Sequence, residues 1–114
     1  MTVSLRGTRE VKENHQLFRL TGLLDAFSEP TFTKEIGKHL EGGPKDIILD
    51  LTQINFIDSS GLGALVKLAR EAQNAEGSLK IIPNARVRSA IKLVRLDKFL
   101  SMQPEDENER KEGS

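Results

Sequence analysis

Two hydroxyls and a carboxylate stand together in the segment Ile57–Gly63, where an apolar stretch gives way to the start of a predicted helix. Asp58, Ser59 and Ser60 carry side-chain oxygens that accept hydrogen bonds from the unsatisfied N–H groups of a first helical turn. These residues could therefore form a helix cap and nothing more. They could also place a modifiable hydroxyl at the centre of a contact surface.

Two glycines follow these hydroxyls within the first turns of the same helix. Gly61 and Gly63 flank Leu62, and a glycine inside a helix costs about 1 kcal/mol relative to alanine. Their lack of side chains lets another backbone approach closely, either the protein's own sheet or a partner. The segment Asp58–Gly63 is therefore a candidate contact surface.

Nucleotide-binding and hydrolase motifs do not fit this segment. Gly61 and Gly63 match the first two glycines of a dinucleotide fingerprint, but Val66 stands where the third small residue is needed. The sequence has no Walker A loop. A nucleophile elbow requires a glycine two residues before and two residues after the serine, but Ser59 has only the second of these, Gly61.

The remaining residue types give no sign of metal or disulfide chemistry. The chain has no cysteine, which excludes disulfides and Cys-ligated zinc. His15 and His39 lack the paired spacing of metal ligands, and we interpret both as structural. We expect no metal and no cofactor.

Length and charge predict one soluble domain. The chain has 114 residues, 37% of them hydrophobic and 30% charged, which suits a single globular core. Lys plus Arg equals Asp plus Glu at 17 each, so there is no global attraction to nucleic acid or to a membrane. With no signal peptide or spanning segment in view, we expect a cytoplasmic location.

The N-terminal half predicts two strands and a helix. Alternating apolar residues indicate a strand over residues 2–11, and a second, antiparallel strand at 16–20 that Thr21-Gly22 ends. Asp25 lies in the connection that follows. Ser28 is the predicted N-cap of the first helix, with Phe27 and Phe32 placed as a hydrophobic staple. The buried stripe of this helix is Phe32, Ile36 and Leu40.

The nearly continuous apolar run at 47–51 predicts a central strand covered on both faces. Residues 54–57 are expected to form an apolar loop that packs under the sheet and fixes Asp58 and Ser59. A second helix is predicted over 60–76, a strand over 79–82 and a third helix to about residue 96. The apolar face of the third helix is predicted to comprise Val87, Ala90, Ile91 and Val94.

This alternation predicts an α/β fold in the order β-β-α-β-α-β-α-β, with a mixed, mostly parallel central sheet of about five strands. The last strand lies at the edge, within residues 99–102. The domain spans 1–103, and the acidic stretch 104–114 has no apolar residue and is expected to be disordered.

Cations form a stripe on the third helix. Arg88, Lys92 and Arg95 lie along it, with Arg86 and Lys98 nearby. The stripe could bind an acidic partner or a lipid head group, although we interpret it as a solvated helix face because Asp97 and the acidic tail can neutralise part of it. No aromatic residues interleave these charges as nucleic-acid stacking would require.

The run D-L-T-Q-I-N-F-I-D-S-S-G-L-G at 50–63 resembles the signature of the STAS-domain anti-sigma factor antagonists. The segment L-T-G-L-L-D at 20–25 resembles the same family, and the similarity covers residues 2–102. The resemblance implies a small α/β domain in which an anti-sigma factor, itself a serine kinase, phosphorylates Ser59. It also assigns functional roles to Asp58 and Asp25. The family usually adds a final amphipathic helix, whereas the end of this chain is polar.

The resemblance implies a non-enzymatic switch that binds the anti-sigma factor when unphosphorylated and so releases a sigma factor. A PP2C-type phosphatase would reverse the modification. The predicted partner-binding residues are Asp25, Asp58, Ser59, Ser60, Gly61, Leu62 and Gly63. Two alternatives remain open: a STAS subunit of another assembly, such as a lipid-transport ATPase or a stress-signalling scaffold, and a flavodoxin-like enzyme with a bound flavin.

Overall fold

One five-stranded sheet organises the computed structural model, which describes residues 5–104. The strands lie in sequence order, β1-β2-β3-β4-β5; the β1–β2 pair is antiparallel and the other pairs are parallel. The predicted fold class and element order are confirmed. The elements are β1 (Leu5–Val11), β2 (Gln16–Leu24), α1 (Glu29–Glu41), β3 (Asp46–Ile57), α2 (Ser59–Asn74), β4 (Ser78–Pro83), α3 (Ala85–Leu93), a 3₁₀ turn (Leu96–Lys98) and β5 (Ser101–Met102). The predicted disordered tail from residue 105 onwards, like the predicted strand residues 2–4, lies outside the described residues.

The core lies on one face of the sheet. Parallel strands added in one direction by right-handed crossovers place their helices on the same side. Burial accordingly alternates along β3 and β4. Within the described residues, Ile48 is only half-buried between the buried Ile47 and Leu49. The predicted cover on both faces of this strand is therefore wrong, because half-exposed apolar residues on the open face made the run look continuous.

The helices contribute the apolar stripes that cover the sheet. The predicted stripe of α1 is confirmed, since Phe32, Ile36 and Leu40 are all buried. Helix α3 buries Val87 and Ile91 as predicted, but Val94 is 51% exposed. The helix ends at Leu93, so Val94 lies beyond it and does not join the apolar face that the helical period of 3.6 residues predicts.

Strands β2 and β3 are both longer than predicted. Gly22 has φ 116°, and the pairing of β2 with β3 shifts register on either side of it, between Arg19 and Thr21 and between Gly22 and Leu23. Such a bulge absorbs an unusual backbone conformation without ending a strand. Strand β2 therefore continues to Leu24, and the predicted apolar loop at 54–57 is the paired end of β3.

Candidate functional site

The candidate site lies where β2 and β3 end side by side. Leu24 and Ile57 are the last paired residues of these parallel strands, so Asp25 and Asp58 follow them at the same edge of the sheet. The backbone N–H of Asp58 donates a hydrogen bond to the carbonyl oxygen of Leu24, at 3.3 Å. The structure thus brings together two carboxylates that lie 33 positions apart in the sequence.

Asp58 caps helix α2. Its extended backbone (φ −115°, ψ −172°) lets the side-chain oxygen Oδ1 accept a hydrogen bond from the backbone N–H of Gly61, at 3.0 Å. Its carbonyl oxygen accepts the first intrahelical bond, from Leu62 at 2.9 Å. The helix-cap interpretation of this segment is confirmed for Asp58, which leaves the serines free for other roles. The helix begins at Ser59, one residue earlier than predicted.

Ser59 is the first residue of α2 and is exposed, whereas Ser60 is half-buried. A helix N-terminus carries unsatisfied N–H groups and a partial positive charge, so it favours a nearby anion. The hydroxyl of Ser59 is therefore both reachable and placed where an added negative charge is tolerated.

The two glycines of the motif have different surroundings. A Cβ at Gly61 would collide with the carbonyl oxygen of Leu24 and lie 2.9 Å from Cγ1 of Ile57, while a Cβ at Gly63 would meet nothing within 4 Å. Leu62 between them is buried in the core. Gly61 and Leu62 thus seat the helix on the sheet, and Gly63 leaves a bare exposed surface.

Asp25 closes a tight turn beside this helix. Its Oδ1 accepts hydrogen bonds from the backbone N–H groups of Phe27 (3.1 Å) and Ser28 (3.0 Å). The buried Ser28 hydroxyl donates to the carbonyl oxygen of Leu23 at 2.8 Å. Ser28 has helical backbone angles and makes no side-chain cap bond to α1. Ser28 is the N-cap residue of α1, as predicted, but its side chain does not cap the helix because its hydroxyl is used within the Asp25 turn.

Two aromatic side chains near this edge were not predicted as surface residues. Phe27 is 91% exposed and Phe56 is 47% exposed. The predicted staple between Phe27 and Phe32 is wrong, because Phe32 is buried while Phe27 points to solvent. The turn that Asp25 fixes holds Phe27 in solvent, and that turn was not evident from residue spacing.

No cluster of three or more potential metal-ligating side chains occurs within residues 5–104. His39 packs its ring against Phe18, with 5.7 Å between ring centroids. In the same part of the chain, no helix is both long and apolar enough to cross a lipid bilayer.

A family model and several solved structures resemble this chain over most of its length. The family model described as "STAS domain" matches residues 8–108. An anti-sigma factor antagonist from Mycobacterium paratuberculosis superposes with a TM-score of 0.79 at 21% identity, covering 96% of this chain and 93% of that one. The anti-sigma factor antagonist SpoIIAA in its unphosphorylated form gives 0.69 at 24% identity, covering 96% and 98%. The phosphorylated form of the Bacillus protein SpoIIAA gives 0.65 at 23%, covering 95% and 98%.

The matched region contains all of α2 with its Asp58 cap, the Asp25 turn, and four of the five strands in full. The chain belongs to the STAS domain family.

Proposed function

We propose that this STAS domain is a phosphorylation-controlled binding module. It captures an anti-sigma factor when Ser59 is unmodified and releases it when Ser59 carries a phosphate. The observation that supports this most directly is the exposed Ser59 at the start of α2, beside the open surface at Gly63. The domain itself is not a catalyst in this scheme, since the partner acts as the kinase and supplies ATP and Mg²⁺.

The phosphate would be compatible with the fold. It adds about −1.5 to −2 charges, and the N-terminus of α2 stabilises an anion there by about 0.3–1 kcal/mol. The cap does not use the Ser59 hydroxyl, because Oδ1 of Asp58 holds the N–H of Gly61. We therefore expect the modified domain to stay folded.

The same phosphate would not be compatible with a partner packed closely over Ser59 and Gly63. Burying an unpaired dianion costs several kcal/mol, and about 4 kcal/mol corresponds to a thousandfold loss of affinity. Phe27 and Phe56 offer apolar contacts close to this surface, since exposed aromatic residues often anchor protein interfaces. The predicted contacts of Asp25 and Ser60 belong to the same edge.

The relatives support this scheme through what their names state. SpoIIAA is an anti-sigma factor antagonist that has been seen both with and without phosphate, and both forms share the fold of this chain. We infer that the partner is an anti-sigma factor with serine kinase activity, and that a PP2C-type phosphatase removes the phosphate.

The test is incubation with a candidate anti-sigma kinase and Mg-ATP, followed by peptide mass spectrometry and calorimetric binding. We expect one phosphate on Ser59, none on the Ser59→Ala variant, and an affinity about a thousandfold lower for the phosphorylated protein. Ser59→Asp, which adds one charge, should lower the affinity at least about tenfold.

Ser89→Asp is the matched control, because Ser89 is also an exposed helical serine but lies on α3; its affinity should be unchanged. Full affinity in Ser59→Asp would contradict the proposal. Phosphate on Ser60 instead would move the switch by one residue. No modification by any kinase of this type would favour the alternative of a constitutive subunit in another assembly.

A further inference from the structure

A second exposed surface lies at the turn between α3 and β5. Within this short segment, Leu93 is 85% exposed, Phe99 69% and Val94 51%. Single exposed apolar residues are ordinary on folded proteins, but several in one segment indicate a surface that binds something. We call residues 92–99 the α3 tip.

The backbone explains why these side chains face outward. Helix α3 ends at Leu93, and Arg95 adopts a left-handed conformation with φ 60° that reverses the chain into the 3₁₀ turn. Leu96 packs against the core after this reversal, and Leu100 is buried. The chain is thus anchored through Leu96 and Leu100, whereas Leu93, Val94 and Phe99 stay in solvent.

Cations interleave with the exposed apolar residues of the α3 tip. Lys92, Arg95 and Lys98 are all exposed, and Asp97 is the one carboxylate in the segment. Among residues 5–104, none of these three cations forms an ion pair. The chain as a whole has no net charge, so the positive charge of the tip is a local feature that the overall balance conceals.

Two occupants within the same protein fit this surface poorly. A second copy meeting it symmetrically would place Lys92, Arg95 and Lys98 against themselves, which like-charge repulsion opposes. The acidic residues beyond Gln103 could neutralise cations. However, that stretch contains no apolar residue to cover Leu93 and Phe99.

We propose that the α3 tip binds an anionic lipid surface. Protruding Leu and Phe side chains surrounded by Lys and Arg are typical of segments that lie in the membrane interface. Each cation near an anionic leaflet contributes about 1 kcal/mol, and this contribution is screened by salt. A small patch of this kind gives reversible, peripheral binding.

The tip lies at the opposite end of the sheet from Ser59. Helices α2 and α3 both start where their preceding strands end, and α3 returns about 13 Å along its axis before the tip. Strand β5 then begins beside Lys80, near the start of β4. The surface around Ser59 and Gly63 therefore faces away from a membrane bound at the tip, so a partner at Ser59 and a membrane at the tip can be bound at the same time.

The test is vesicle flotation of the full chain with phosphatidylcholine vesicles and with equimolar phosphatidylcholine and phosphatidylglycerol vesicles. We expect at least about tenfold more protein on the anionic vesicles at low salt, and loss of this excess at high salt. Leu93→Ser with Phe99→Ser, and separately Lys92→Gln with Lys98→Gln, should each lower binding at least about fivefold.

Phe27→Ser is the matched control, since Phe27 is even more exposed than Leu93 and Phe99 but lies at the other end of the molecule; it should bind vesicles as the wild type does. Circular dichroism melts confirm that each variant is folded. Equal binding to both vesicle types, or no effect of the tip variants, would overturn the proposal. Binding to polyglutamate without binding to anionic vesicles would overturn it as well and indicate an acidic protein partner.

Discussion

The first turn of α2 has an inward side and an outward side that obey different constraints. On the inward side, Gly61 presses against the carbonyl oxygen of Leu24 and the Asp58 carboxylate caps the helix. On the outward side, Ser59 and Gly63 are exposed, and added atoms at Gly63 would touch nothing. One short motif therefore contains both structural and surface residues.

This difference shows why the residue types of the motif cannot be interpreted as a unit. Gly61 is required by close packing, since any side chain there meets backbone. Gly63 has no such requirement within the described structure and costs helix stability. Because the packing does not require glycine at position 63, we infer that this glycine serves binding, where the absence of a side chain lets a partner approach the helix closely.

Among substitutions in this turn, the largest expected effect is the loss of stability in Gly61→Ala. The new Cβ meets the Leu24 carbonyl oxygen, which cannot rotate away as a flexible side chain would. The helix start must move off the sheet, at a cost of about 3 kcal/mol of unfolding free energy. Urea denaturation measures this directly, and an unchanged midpoint would contradict the close contact.

The next effect is on partner binding in Gly63→Gln. The added side chain fits the free domain, because Gly63 lies in open space, but it should obstruct a partner packed over Ser59. We expect about a tenfold weaker complex, or about 1.4 kcal/mol, by calorimetry with the anti-sigma partner. Lys67→Gln, a change at an exposed position one turn further along α2, serves as the control and should bind normally.

Asp58→Ala should have a smaller effect on folding. It removes the side-chain acceptor for the Gly61 N–H, and loss of an N-cap costs about 1 kcal/mol. Asp58→Asn keeps a capping oxygen and should retain most of the stability. Thermal melts of the two variants compare these effects, and equal losses would indicate that the charge of Asp58 matters more than its hydrogen bond.

The smallest effect is a gain in stability in Gly63→Ala. Alanine removes the cost of a helical glycine without a steric conflict, so the free energy of unfolding should rise by about 0.5–1 kcal/mol. The same substitution should therefore lower the free energy of unfolding at Gly61 and raise it at Gly63, two residues away. A loss of stability at Gly63 would remove the contrast between the two sides of the turn.

Much of the architecture followed from periodic apolar residues, because strand and helix periods differ and each amphipathic helix must cover the sheet. The stripe of Phe32, Ile36 and Leu40 was predictable in this way, whereas the predicted loop before Asp58 is the end of β3. The same reasoning failed at Gly22. A glycine is typical both of a strand end and of a bulge, and only pairing with β3 decides between them.

The environment of individual site residues was less predictable. Phe27 matched the spacing of a hydrophobic staple, yet the hydrogen bonds of Asp25 fix a turn that holds it in solvent. Gly61 and Gly63 are the same residue type, and the contacts with Leu24 and Ile57 at Gly61 alone distinguish them. Such properties depend on contacts between distant segments, which local patterns do not encode.

The edge strand β5 gives the molecule a gradient of protection against hydrogen exchange. Within residues 5–104, two residue pairs join β5 to β4, supplemented by hydrogen bonds from the Gln103 N–H to the Ile81 carbonyl and from Arg88 to the Gln103 carbonyl. Strands β2 and β3, in contrast, are paired along most of their length at the centre of the sheet. Amide protons of β5 should therefore exchange through local fraying, while those of β2 and β3 should exchange mainly through global unfolding.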